Sequence, residues 1–148
     1  AHMRGYLNRP DETAAALTGG WMHTGDLAYQ NEDGLVFISG RKKDIIRGGE
    51  NIACIDVEEA IYQHPAAIEV AVFSETHERL GEAVGVAIYS DDQSSIDLAG
   101  LRDFLSDNLA PFKLPEYLWL LDAPLPRGAT EKIDKRAVRA QCLESHAS

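Results

Sequence analysis

The chain has 148 residues, 45% of them hydrophobic, which suits one packed domain, or one domain plus part of another, and argues against intrinsic disorder. Its 24 acidic and 14 basic residues leave a formal charge of −10, which argues against nucleic-acid partners, since those need a basic surface to displace counterions. Cys54 and Cys142 fit neither a metal nor a redox spacing and read as reduced thiols of a cytoplasmic protein; no apolar run approaches the roughly 20 residues of a transmembrane segment.

Ala1, His2 and Met3 read as a remnant of cloning and are set aside. Residues 4–20 are irregular, then weakly helical from Asp11, with Gly19-Gly20 as the stop. Residues 27–30 and 35–39 predict two short strands around Asn31-Glu32-Asp33-Gly34, a hairpin signal. Residues 41–44 are too polar for a core strand and follow a glycine, so a linker or hinge is expected there.

Beyond residue 45 the pattern changes. Residues 56–64 predict a helix with Val57, Ala60 and Ile61 on one face and Pro65 just after its end. Residues 68–73 and 83–89 are β-rich, with a polar loop, SETHERLGE, expected between them. Ser94 or Ser95 is the expected N-cap of a helix reaching about residue 109, with Leu98, Leu101, Phe104, Leu105 and Leu109 at three- and four-residue steps. Residues 117–121 predict a third strand and 134–143 a last helix. The expected fold is α+β: a short, mainly antiparallel sheet flanked by helices, preceded by a β-hairpin.

Three segments carry possible chemistry. Asp26, in His-Thr-Gly-Asp before a strand, offers two acceptor oxygens that match the two hydroxyls of a ribose; capping its own turn is the commoner use of such an Asp. Gly48-Gly49 permits positive φ or the passage of a narrow ligand over bare backbone, and equally an ordinary connection. It is no Walker loop, because no Gly-Lys-Ser/Thr follows. Lys132, in a loop rich in small residues, could bring positive charge to a phosphate, although a solitary Lys is usually a surface residue. His23, His64 and His77 lack ligand spacing, so no metal site is expected, and Trp21 and Trp119 read as core or rim.

The order of the segments is more specific than any one of them. GYLNRPDET, HTGDL, DGLVFISGRKKD, GGENI and LPRGATEKIDK, spread over residues 4–140, resemble the adenylate-forming superfamily from its late core motifs to its C-terminus. GGENI is most similar to the acyl-CoA synthetase branch. The resemblance implies three parts: residues 4–40 as the end of a large AMP-binding domain, 41–44 as the hinge, and 45–148 as the C-terminal lid domain. It also implies two half-reactions. A carboxylate attacks ATP to give an acyl-adenylate and pyrophosphate, then CoA displaces AMP.

By the same resemblance Asp26 and Arg41 would bind the nucleotide, with Asp26 on the ribose hydroxyls. Lys43 would be the hinge, and Gly48, Gly49 and Glu50 would border the CoA tunnel. Lys132 would assist adenylation, on the face of the lid opposite the glycines, and would be open to an acetyltransferase and deacetylase. ATP, AMP and CoA are the implied small molecules; Mg2+ would be held by a longer parent protein and not by these residues. Glu131 departs from the family, which usually has Gly before the lysine, and 44–48 is one residue shorter than the usual form. The chain is expected to be a piece of a longer polypeptide, inactive alone. Two other readings share the pattern: an adenylation domain that loads a carrier protein, and a free-standing interaction module on the same fold.

Overall fold

The computed structural model describes residues 4, 5, 7–17, 19 and 24–146, and divides the chain into two compact units, residues 1–43 and 44–148. Ala1, His2, Met3, Gly20, Trp21 and His23 lie outside the described residues. In the first unit, α1 (Pro10–Ala16) opens on a proline, whose fixed φ suits a first helical turn, and buries no residue. β1 (Asp26–Gln30) pairs antiparallel with β2 (Val36–Arg41), with a register shift between Leu27 and Ala28. The side-chain Oδ1 of Asn31 accepts hydrogen bonds from Asp33 N and Leu35 N, closing the turn. Arg41 is the last residue of β2, and the 3-10 turn Lys42–Asp44 follows it.

The second unit is a small α+β fold. Its central sheet has the order β5-β6-β7: β5 (Glu69–His77) is antiparallel to β6 (Gly81–Tyr89), and β6 is parallel to β7 (Tyr117–Leu121). The parallel step needs a crossover, which α3 (Leu98–Ser106) supplies. A separate hairpin, β3 (Ile45–Arg47) with β4 (Asn51–Ala53), leads into α2 (Cys54–Ile61), and α4 (Lys135–His146) closes the chain.

Alternation along the strands divides the core in two. Val70, Val72, Val84, Val86 and Ile88 face one side, where Ile46, Ile52, Val57, Ile61, Leu101 and Leu105 cover them. Ala71, Phe73, Ala87 and Trp119 face the other, under Leu125, Val138 and Cys142. A sheet buried on both faces reads as continuous apolar sequence, which is what EVAVF and AVGVAIY show.

β5 is an edge strand, and side chains satisfy its outer backbone groups. The Tyr62 hydroxyl accepts from Val70 N at 3.0 Å, Glu58 Oε1 accepts from Val72 N at 3.1 Å, and Arg139 Nε donates to Ser74 O at 3.0 Å. Such cover removes the template that an open edge offers to another chain.

Two expectations need correction. The loop SETHERLGE is mostly strand: the ladder runs on through Glu75↔Ala83 and His77↔Gly81, and only residues 78–80 turn. Backbone pairing persists there past the helices that cover the sheet, so side chains turn polar before the strand ends. Neither Ser94 nor Ser95 caps α3. Both sit in the 3-10 turn Gln93–Ser95, and the cap is Asp97, whose Oδ1 accepts from Gly100 N at 2.6 Å. A carboxylate is the stronger acceptor at a helix start, where the dipole favours negative charge. α2 begins two residues before its predicted start and ends at Ile61, and Asp134 caps α4, its Oδ1 accepting from Arg136 N and Ala137 N.

Both cysteines are free and buried, and burial pushes each thiol up from 9.0 to about 11. The folded chain therefore holds these protons more tightly than the unfolded one. Their stabilisation is complete below pH 9.0 and is lost as the pH rises towards about 11. Native protein is expected not to react with an aromatic disulfide reagent near neutral pH until it is unfolded. Denaturation midpoints should fall through that alkaline window, and a Cys54→Ala, Cys142→Ala double variant should flatten the fall.

Candidate functional site

Six positions singled out in the sequence fall on three hairpins. In the first unit Asp26 and Arg41 are cross-strand partners, and Arg41 Nε lies 2.9 Å from Asp26 Oδ1. The backbone N of Asp26 donates to Thr24 Oγ1 at 3.2 Å. The carboxylate is thus held by a guanidinium across the strand pair. An Asp beside a fork of N–H donors can accept hydroxyl protons through its second oxygen while the remaining donors meet an anion. Lys43 is exposed in the 3-10 turn that straddles the boundary of the two units.

In the second unit, Gly48, Gly49 and Glu50 form the tip of the β3–β4 hairpin between the paired Arg47 and Asn51. The two glycines are required for different reasons. A Cβ at Gly48 would stand 2.5 Å from the backbone O of Glu82, so β6 itself occupies the space. Gly49 has φ +85°, and a Cβ there would meet nothing within 4 Å. Close approach at Gly48 is therefore packing within the fold, and Gly49 is the position left open to a ligand. Glu50 is exposed beside it. The register turns Ile46 and Ile52 inward and leaves Arg47 exposed.

Lys132 lies on a third hairpin, closed by a bridge between Arg127 and Ile133. Gly128 N donates to Lys132 O at 2.9 Å and Glu131 N to Gly128 O at 3.0 Å. Residues 129–131 thus make the three-residue connection whose last member is left-handed, and Glu131 has φ 59°. A glycine fits that position without cost, which explains why a family would place one before the lysine. Lys132 is exposed and its ammonium has no ion-pair partner among the described residues.

The glycine hairpin and the lysine hairpin are far apart in this unit. Ile46 and Ile52 join the core on the α2–α3 face, whereas Leu125 and Ile133 join the core on the α4 face. They also attach at opposite ends of the β5–β6 ribbon, one beside Glu82, which pairs with Thr76, the other beside Glu69, which pairs with Tyr89. Seven residues of strand, ~23 Å at 3.3 Å each, separate those ends.

The sequence profile of the AMP-binding enzyme C-terminal domain matches residues 56–132, about half of the chain. The chain belongs to this family. A long-chain-fatty-acid–CoA ligase of Bacillus subtilis is 39% identical over 145 residues, covering 97% of this chain and 26% of the relative. A probable CoA ligase, CCL9, of Humulus lupulus is 38% identical over 141 residues, covering 95% of this chain and 27% of that protein. The o-succinylbenzoate CoA synthetase MenE of B. subtilis, solved with its acyl-adenylate intermediate, superposes with a TM-score of 0.81 at 31% identity, over 94% of this chain and 28% of MenE. MenE has also been solved with ATP and a magnesium ion. This AMP-binding enzyme C-terminal domain thus spans about a quarter of the relatives it matches.

Among the described residues no group of three or more His, Cys, Asp and Glu could hold a metal ion. No helix among them is long and apolar enough to cross a membrane. His64 and His77 cap local backbone instead: His64 Nδ1 accepts from Ala66 N, and His77 Nδ1 from Arg79 N and Leu80 N. Sequence reasoning missed Glu69, Arg127 and Glu82, because each has its partner 35 or 58 residues away and no local pattern marks such a pair.

Two substitutions test this local geometry. Glu131→Gly is expected to raise stability by about 0.5–1 kcal/mol, through release of a left-handed L-residue partly offset by unfolded-chain entropy. Gly48→Ala should lower it by about 1–3 kcal/mol, because the hairpin must shift off β6. Thermal or denaturant unfolding of the 148-residue chain reads both changes.

Proposed function

We propose that this chain is the C-terminal part of an ATP-dependent acyl-CoA synthetase, converting a carboxylic acid, ATP and CoA to acyl-CoA, AMP and pyrophosphate. Residues 45–148 are its lid, 41–44 its hinge, with Lys43 as the pivot, and the β1–β2 hairpin the end of a larger AMP-binding domain. That hairpin leaves Leu35, Val36 and Ile38 more than half exposed, the condition expected of strands that belong to a larger core. The observation that carries the reading is the attachment of the Lys132 and Gly48-Gly49 hairpins to opposite faces of one sheet. A lid with one functional group on each face can present them in turn, excluding water at each step.

In adenylation the substrate carboxylate attacks the α-phosphorus of ATP and pyrophosphate leaves. Lys132 supplies positive charge where negative charge develops, while Asp26 and Arg41 hold the ribose and phosphate of the nucleotide. In thioester formation the CoA thiol attacks the acyl carbonyl and AMP leaves. Gly49, with Gly48 and Glu50 beside it, borders the channel through which the pantetheine arm reaches that carbonyl. Magnesium would accompany ATP on the larger domain and would neutralise phosphate charge there. The exposed, unpaired ammonium of Lys132 is accessible to an acetyltransferase, and acetylation would remove its charge and with it adenylation. A cytoplasmic setting fits these small-molecule substrates and the two free thiols.

Lys132→Ala in a full-length protein carrying this chain is expected to slow acyl-adenylate formation by about 10²–10³. Thioester formation from supplied acyl-adenylate should stay within about twofold, since the lysine is then on the far face. Gly49→Leu should reverse the pattern. Equal losses in both half-reactions for either variant would end the alternating-face reading, and thioester formed on a carrier protein but not on free CoA would move the enzyme to the carrier-loading class.

A further inference from the structure

Glu69 and Glu82 stand at the two ends of the β5–β6 ribbon. Strand alternation directs Glu69 to the face of Ala71 and Phe73, and Glu82 to the face of Val84 and Val86. Each carboxylate bonds the backbone of a hairpin distant in sequence. Glu69 Oε2 accepts from Leu125 N at 2.7 Å, and Glu69 Oε1 pairs with the guanidinium of Arg127, which also donates to Glu131 O at 2.8 Å. Through these bonds Glu69 grips both sides of the hairpin that carries Lys132. At the other end, Glu82 Oε2 accepts from Arg47 N at 2.7 Å, one residue before Gly48, and the Glu82 carbonyl is the atom that Gly48 packs against.

We propose that Glu69 and Glu82 are positioning residues, one for each half-reaction: Glu69 fixes the lysine hairpin and Glu82 the glycine hairpin. The proposal rests on the acyl-CoA synthetase reading above. Hydrogen bonds from backbone N–H to a carboxylate are short and charge-assisted, so they suit hairpins whose own ladders are short, three residue pairs in one and a single bridge in the other. Among the described residues the two hairpins have no hydrogen bond to each other, and they use different carboxylates on different faces. Their positioning is therefore separable, as two steps with different geometric demands require.

The test uses Glu69→Leu and Glu82→Leu, which keep the bulk and remove the acceptor, with Glu82→Gln and Glu69→Gln, which keep an oxygen for the backbone N–H. In the full-length protein, Glu69→Leu should slow pyrophosphate release by about tenfold or more and leave thioester formation from supplied acyl-adenylate within about twofold. Glu82→Leu should do the opposite, and Glu82→Gln should recover most of the loss. Glu69→Gln, which loses the pairing with Arg127, should recover part. In the 148-residue chain, amide exchange should quicken at Leu125 in Glu69→Leu alone and at Arg47 in Glu82→Leu alone. Equal slowing of both half-reactions by either Leu variant would overturn the division of labour, as would no slowing. Unchanged exchange at both amides would overturn the anchoring itself. If the unmodified full-length protein formed no acyl-adenylate, the synthetase reading would fall and the two-step assignment with it, whatever the exchange data showed.

Discussion

The β5–β6 ribbon, nine residues on each strand, is the interaction on which the rest of the second unit depends. Because successive side chains point to opposite faces, one pair of strands serves two cores at once. Val70, Val72, Val84, Val86 and Ile88 collect the β3–β4 hairpin, α2 and α3. Ala71, Phe73 and Ala87 collect α4 and the segment around Leu125 and Ile133. Without that period of two, the glycine and lysine hairpins would have no reason to part company. Their separation is thus a by-product of sheet geometry.

The ribbon is also guarded where it is weakest. β5 has a neighbour on one side only, and the groups covering its outer edge come from α2 and α4, the helices of the two opposite faces. Glu58 joins them, since its Oε1 accepts from Val72 N and also lies 2.5 Å from Lys135 Nζ at the start of α4. The two faces are therefore mechanically tied around the strand edge, independently of any ligand. A unit that carries a hairpin on each face keeps the mutual geometry of the two only through such a tie.

Much of the fold was legible in the sequence, and where it was not the reason is physical. Runs that sit between two layers, EVAVF and YLWLL, announced strands by continuous apolarity, and the Leu101, Phe104, Leu105 spacing announced α3. The polar half of the β5–β6 hairpin stayed hidden because its ladder persists beyond the core, and backbone pairing leaves no compositional trace. Asp97 was passed over for two serines because capping was judged by residue type without the position of the first helical turn. At the candidate site, Asp26, Gly49 and Lys132 were singled out by motif order, and each lies on a hairpin. The carboxylates that anchor two of those hairpins were not, since an acidic residue inside a strand reads the same whether it meets water or a backbone amide across the fold.

The basic cluster at the end of the chain shows how structure changes the meaning of charge. Arg127, Lys132, Lys135, Arg136 and Arg139 look in sequence like one positive patch on an acidic protein. Arg127 is engaged by Glu69, Lys135 by Glu58, and Arg139 by Glu75 at 3.5 Å and by Ser74 O. Arg127 and Arg139 fasten the α4 face to β5 and Lys135 fastens α4 to α2, so each of these charges faces an acid. Lys132 and Arg136 remain without ion pairs among the described residues. Of the two, only Lys132 is mounted on a hairpin with its own backbone closure, directly after a left-handed residue that sharpens the turn. A single unpaired charge at the tip of an anchored turn can be aimed, whereas a patch of five would attract anions without orienting them. With Arg127 paired to Glu69, Lys132 is the one cation of that hairpin without an ion pair among the described residues.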